Sequence, residues 1–351
     1  MTRFSRLAAA AVVALGAAFA AAPGQAQEIT GAGATFPAPV YTKWAEAFQQ
    51  AAGIRLNYQA IGSGGGQNQI INRTVDFGAS DAPVEAARLA SANLLQFPAV
   101  MGSVVVIVNL EGVNANQLRL TGPVLADIYL GTIRRWNDQR IASINPGMTL
   151  PNLAIAPVYR ADGSGTTFVF TSYLADVSPA FREQTGAGVS VEWKAGTGAR
   201  GNDGVAGTVR NTRGGIGYVE NIYATQNRLT TTQLQNRAGQ FVTPTIAAYQ
   251  AAAANADWER AQNFAVSLIN QPGDATWPIV SATFILLPKN PTDATRSLNV
   301  MRFFNWAYGN GGQIATELDY IPLPAAVIER VRVAWRNEIR GPNGQPVFAP
   351  N

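Results

Sequence analysis

The 351-residue sequence has no cysteine and no histidine. Without cysteine there is no disulfide, no thiol nucleophile and no residue to carry an acyl chain behind an export signal. Without histidine, Ser-His-Asp triads and the commonest general base of hydrolases are gone, and zinc sites built on His or Cys go with them. Charge is also scarce. Asp, Glu, Lys and Arg together make up 14% of the chain, and the net charge is +4. Arg3 and Arg6 lie in a segment read below as removed, which leaves +2. That balance does not suggest a nucleic-acid or membrane surface, and no basic run is interleaved with aromatics. Past the first 26 residues no apolar run reaches the length of a membrane span.

What is present is a large apolar fraction. Hydrophobic residues are 47% of the sequence, enough for a substantial core, and the length suits two domains of ordinary size. The chain begins M-T-R-F-S-R and continues through an Ala-rich apolar run to P-G-Q-A-Q at residues 23–27. This is the pattern of a secretory signal peptide, cut after Ala26 or after Ala22. An exported chain with no lipid attachment stays near its cell only behind an outer boundary. The expected location is the periplasm of a Gram-negative bacterium.

Strand-like and helix-like segments alternate, which predicts an α/β architecture. Residues 54–61 read as a strand. Val40, Trp44, Phe48 and Ala51 recur at helical spacing over Pro39 to Ala52, and Gly53 is placed to end that helix. The run V-V-V-I-V-N from Val104 is β-branched and apolar throughout, as in a strand buried on both faces; I-V-S-A-T-F-I-L-L from Ile279 is comparable. These two strands could carry the chain between two lobes. Helices are expected at Trp258 to Asn270 and Ala325 to Arg340, and the tail G-P-N-G-Q-P from Gly341 is expected to run loose over the surface.

Three junctions share one chemistry. G-A-G-A-T-F-P-A-P from Gly31 places Thr35 at a loop-to-helix turn. G-S-G-G-G-Q-N-Q-I from Gly62 places Ser63 at another, opening a helix through Ile71. R-A-D-G-S-G-T-T from Arg160 follows the strand-like A-P-V-Y and bunches Ser164, Thr166 and Thr167 where a helix begins. Glycine allows close backbone approach, and a helix N-terminus exposes free N–H groups at the positive end of its dipole. Taken singly, each is an ordinary helix cap; three converging on one cleft would surround a small tetrahedral oxyanion. None fits the nucleotide phosphate loop G-x-x-x-x-G-K-[ST]. G-T-G-A-R-G from Gly196 does fit a dinucleotide motif, after a possible strand Val189 to Trp193 and with Glu220 downstream. Its helix would be short and Asp203 would sit beside the pyrophosphate, so it is read as a structural turn.

Arg160 offers a planar fork to oxyanion oxygens, and Asp162 could steady that fork. Asp76 and Asp81, both in V-D-F-G-A-S-D-A-P from Val75, supply a carboxylate. A carboxylate repels a bare anion but accepts a proton from hydrogen phosphate, which sulfate cannot offer at neutral pH. Residue chemistry leaves the choice between Asp76 and Asp81 open.

Those four motifs, together with L-A-D-I-Y-L-G from Leu125, G-N-D-G-V-A from Gly201, G-I-G-Y-V-E from Gly215, W-P-I from Trp277 and A-W from Ala334, resemble the phosphate-binding proteins of high-affinity phosphate ABC transporters. The likeness runs in order through nearly all of the chain after residue 26. It implies a two-lobed type II periplasmic-binding-protein fold with hinge strands, residues 27–106 and 280–351 forming one lobe and residues 107–279 the other. It further implies that Thr35, Phe36, Ser63 and Asp81 bind phosphate from the first lobe and Arg160, Ser164, Gly165 and Thr166 from the second, with Asp162 behind Arg160. The family often has a second serine where this chain has Gly64. The implied protein is a monomer without cofactor, metal or nucleic acid, whose partners are inorganic phosphate and the inner-membrane permease subunits. Two rivals remain: a binder of another oxyanion such as sulfate, molybdate or arsenate, and a secreted phosphatase using Asp81 or Ser164, which the missing histidine disfavours.

Overall fold

A computed structural model describes residues 27–348; the signal-peptide reading falls on residues outside that range. Nine strands make one long curled sheet in a two-lobed α/β protein. In chain order they are β1 (Glu28–Gly33), β2 (Arg55–Ala60), β3 (Phe77–Ser80), β4 (Leu94–Val108), β6 (Ala156–Arg160), β7 (Thr197–Ala199), β8 (Gly215–Glu220), β9 (Thr230–Thr231) and β12 (Val280–Pro288). Their spatial order is β2-β1-β3-β12-β4-β8-β6-β7, with β9 also on β4. Three short strands, β5 (Arg119–Leu120), β10 (Gln233–Gln235) and β11 (Phe241–Val242), form a separate small sheet.

The anticipated buried strands are β4 and β12. All fifteen residues of β4 are buried, which is why its sequence lacks an apolar–polar alternation. At about 3.3 Å per residue β4 is about 50 Å long, enough to belong to both halves of the sheet. Leu94 to Ser103 pair with β12, whereas Val104 to Val108 pair with β8. On one side β2, β1 and β3 run parallel, and on the other β6 runs parallel to β7 and β8. Phe304 anchors the core of the first half, edge-on to Tyr41, Phe77 and Phe97 at 5.4 to 5.8 Å. In the second half Phe170 stacks on Tyr218 at 4.1 Å.

The helix anticipated to Ala52 spans Ala38–Ala52 and ends on Gly53 in the left-handed conformation; those anticipated after Ser63 and before Arg340 are Ser63–Ile71 and Ala325–Glu338. Three expectations fail. Trp258 to Asn270 is not an α-helix. It holds a single 3₁₀ turn, Gln262–Phe264, and Asn263, Phe264 and Asn270 have positive φ. Tertiary partners take the groups a helix would use: the Asn263 carbonyl accepts from Gln96 Nε2 (2.8 Å), and Arg330 lies over the Phe264 ring. The helix of this region lies upstream at Ile246–Ala253, capped by Thr245. Val189 to Trp193 is not a strand; the strand β7 sits inside the glycine motif, and the helix Gly201–Asn211 follows. The tail does not run loose either. It lies on the surface as expected but is tied into a turn, Gly341 N–H donating to the Gln345 carbonyl (2.9 Å) and Arg340 bridging to Pro346, and just beyond it Phe348 packs edge-on to Trp335 at 5.0 Å.

Candidate functional site

Parallel strands deliver their carboxyl ends to one edge of a sheet, and in open α/β sheets ligands collect there. Thr35 and Phe36 follow β1, Ser63 follows β2 and Asp81 follows β3. From the other half, Arg160 ends β6 and Gly201 follows β7. The same reasoning separates the two aspartates. Asp76 precedes β3, where its Oδ2 accepts from Thr30 N (2.7 Å) and Oγ1 (3.0 Å) and its Oδ1 faces Arg296. Asp81 is at the opposite end of the strand, in the cleft.

The Ala34–Phe36 turn is held from three directions. Tyr58 donates to the Ala34 carbonyl (2.7 Å), Tyr223 to that of Thr35 (2.6 Å) and Tyr320 to that of Phe36 (2.6 Å). With the carbonyls committed to phenols, the N–H groups of Thr35 and Phe36 have no acceptor among the described residues. Pro37, not Thr35, caps the helix that follows. Thr35 Oγ1 accepts from Asn202 Nδ2 (2.8 Å), which also reaches Thr166 Oγ1 (3.3 Å), so Asn202 ties the two halves together at the site. Sequence reading did not single out Asn202. Its signal was the motif G-N-D-G-V-A from Gly201, which entered the resemblance without a role for Asn202.

Arg160 is 4% exposed. Its Nε donates to Asp162 Oδ1 (2.8 Å), its Nη2 to Asp162 Oδ2, and Nη1 points toward Thr166 Oγ1 (3.4 Å). Two edges of the fork are thus committed to one carboxylate, which fixes the plane of the guanidinium. Asp162 also accepts from Gly201 N (3.1 Å). Burial pushes its pKa up, but the bonds and charge of Arg160 outweigh that and hold it below the ordinary value. Behind this pair the Tyr218 hydroxyl accepts from Arg160 N (3.1 Å) and meets Thr167 Oγ1 at 2.7 Å.

Ser164 caps the helix Gly165–Val177 as anticipated, its Oγ accepting from Thr167 N (3.0 Å). The N–H groups of Gly165 and Thr166 have no acceptor among the described residues. Gly165 lies against the opposite half: a Cβ there would stand 2.3 Å from Ser63 Oγ and 2.5 Å from Asp81 Oδ2. Nearby, Gly64 N donates to the Gly163 carbonyl (2.9 Å), and a Cβ at Gly64 would come within 3.2 Å of Gly163 Cα. Glycine in place of a second serine lets the two rims meet main chain to main chain.

Asp81 is the exceptional group. It is 1% exposed, and neither carboxylate oxygen has a hydrogen-bond partner among the described residues; its own N–H donates to Ser63 Oγ (3.1 Å). Burial pushes its pKa up to about 7, against opposing pulls from the Thr283 hydroxyl, the Arg160 charge and the Ser63 hydroxyl. A buried acceptor left unsatisfied amid free donors is what a site awaiting a protonated anion requires. All nine residues singled out from the sequence (Thr35, Phe36, Ser63, Asp81, Arg160, Asp162, Ser164, Gly165 and Thr166) meet in this one cleft.

Residues 18–310 match the family model described as a PBP superfamily domain. The "Phosphate-binding protein PstS" of Pasteurella multocida is 51% identical over 92% of this chain and 94% of that relative. The chain belongs to the phosphate-binding protein family. Another member, the protein of the same name from Haemophilus influenzae, is 48% identical over 90% of this chain and 95% of its own. An archaeal member from Methanocaldococcus jannaschii retains 34% identity over 80% of this chain and 78% of its own. Among solved structures, a DING protein superposes with a TM-score of 0.72 at 21% identity, covering 92% of this chain and 99% of that one. A periplasmic phosphate-binding protein, PfluDING, bound with phosphate, gives 0.68 at 22% identity over 88% and 94%. At those identities the superpositions speak to the two-lobed fold.

Proposed function

We propose that the protein captures inorganic phosphate between its lobes in the periplasm and delivers it to the membrane subunits of an ABC-type phosphate permease, without catalysing a reaction on it. Residues 27–106 with 280–348 form one lobe and residues 107–279 the other, and β4 is the hinge strand that changes partners between them. The observation that carries the reading is Asp81, a buried carboxylate with no hydrogen-bond partner among the described residues, facing a shell otherwise made of donors. Monohydrogen and dihydrogen phosphate carry a proton to give it. Thr35, Phe36 and Ser63 donate from one side, and Arg160, Ser164, Gly165 and Thr166 from the other, while Asp162 holds Arg160 in plane. The relatives' shared name supports phosphate as the ligand. No helix of the described residues is long and apolar enough to cross a membrane, in keeping with a carrier that visits its permease.

Calorimetric titration with phosphate, sulfate and arsenate tests the assignment. Phosphate is expected to bind far more tightly than sulfate at neutral pH, and equal affinities would remove the role given to Asp81. Steady release of product from a chromogenic phosphate ester would instead favour the phosphatase. Gly165→Ala is expected to weaken phosphate binding by roughly tenfold or more, because its methyl would press on Ser63 and Asp81 as the lobes close. Titration of that variant with wild-type affinity would show that the closure is not this tight.

A further inference from the structure

Behind the site lies a second buried carboxyl that the phosphate reading leaves unused. Glu220 ends β8 opposite Val104, next to the point where β4 exchanges β12 for β8. It is fully buried. Its Oε2 accepts from Ile222 N (3.0 Å) and stands 3.1 Å from the Tyr320 hydroxyl, while Oε1 has no partner among the described residues. The same Tyr320 hydroxyl lies 2.6 Å from the Phe36 carbonyl.

A phenol has one proton. The Phe36 carbonyl can only accept, so the 2.6 Å contact takes that proton, and the contact between Tyr320 and Glu220 must draw its proton from the carboxyl. The orphan Oε1 agrees: a buried acid carbonyl without a partner costs less than a buried carboxylate oxygen in the same position. We infer that Glu220 is held as a neutral acid and, through Tyr320, positions the Phe36 main chain at the junction of the two lobes.

The surroundings favour the neutral form. Asp319, bonded to Asn221 Nδ2 (2.9 Å), is the charged neighbour that bears on Glu220, and it is itself acidic. The other titratable groups facing it are Tyr320, Tyr223 on the helix Asn221–Gln226 and Tyr249 on the helix Ile246–Ala253. Burial raises the pKa of Glu220 well above 4.5, against the bond from Ile222 N–H, and Asp319 adds to the rise. The positioning role rests on Phe36 N–H being a phosphate donor; the proton does not.

Thermal melts of the ligand-free protein therefore test the proton without phosphate. A carboxyl whose folded pKa is raised gives stability that is fully present below its unfolded value, 4.5, and is lost as pH rises through the folded value. The unpaired Ile222 N–H gives Glu220→Gln a constant offset, on top of which the Gln variant is expected to gain roughly several degrees on wild type as pH rises from that lower limit. Parallel curves over the whole range would overturn the assignment. Phosphate titrations at neutral pH test the positioning. Tyr320→Phe and Glu220→Leu are each expected to weaken binding about tenfold, and the double variant no more than either alone. Glu220→Gln keeps a donor for Tyr320, but its amide nitrogen cannot also accept from Ile222 N, so its loss is expected to be smaller than that of Leu. Additive losses, or a Gln variant as weak as Leu, would sever the link; Tyr320→Phe deletes a single oxygen and keeps the test available if the Leu variant does not fold.

Discussion

Arg160→Ala is expected to weaken phosphate binding by roughly two to three orders of magnitude, the largest loss from any single substitution at the site. Arg160 is the cation buried within the cleft, 4% exposed, and its fork is already fixed by Asp162. Removing it takes away the charge that balances the ligand. It also leaves Asp162, held ionised by Arg160, as an uncompensated carboxylate beside an incoming anion. Both effects run the same way, which is why the loss should exceed that of any one hydroxyl. Arg160→Lys separates charge from geometry. Lysine restores a positive group but cannot span both oxygens of Asp162 and the ligand at once, so part of the loss should persist. Calorimetry on the three proteins reads the effect directly, and an alanine variant with wild-type affinity would mean that phosphate is held elsewhere.

Asp81→Asn is expected to change selectivity more than affinity. An ionised Asp81 accepts from hydrogen phosphate and repels sulfate, whereas an asparagine can turn its amide to donate to either. The ratio of phosphate to sulfate affinity should fall by roughly a hundredfold, mostly through tighter sulfate binding. The pH dependence carries the same sign. The carboxyl of Asp81 titrates at about 7 in the ligand-free protein, so as pH falls through that value it becomes a donor. Sulfate affinity of the wild type should rise as pH falls, and that of the Asn variant should stay flat. Stability follows the linkage rule. With the folded pKa raised from 3.8 to about 7, the contribution of Asp81 is fully present below the lower value and lost as pH climbs to the upper. The ligand-free Asn variant should therefore be more stable than wild type at neutral pH, by up to about 4 kcal/mol. A sulfate affinity indifferent to both pH and substitution would remove Asp81 from the selectivity mechanism.

Much of the site was legible in the sequence because its parts are local. A helix N-terminus, a glycine and a small hydroxyl are neighbours along the chain, and so are Arg160 and Asp162. The failures were segments whose conformation is set from a distance. Trp258 to Asn270 has the spacing of a helix, yet Gln96 and Arg330 hold its backbone and side chains in irregular turns. The tail from Gly341 has a loose composition, but Phe348 finds Trp335.

By itself the sequence determined the chemistry that was excluded and the donor-rich junctions that were available. The absence of histidine and cysteine removed whole classes of mechanism, and the unbroken apolar run at Val104 announced a strand buried on both faces. Tertiary structure decided which groups share one space. Strand direction set Asp81, at the carboxyl end of β3, inside the cleft and Asp76, at the other end, outside it. Only folding brought Asn202, Tyr223 and Tyr320 to a turn between 167 and 284 residues away in the chain. Only folding stripped the water from Asp81 and Glu220. Burial is a property of everything packed around a carboxyl, so no stretch of neighbouring residues can encode it.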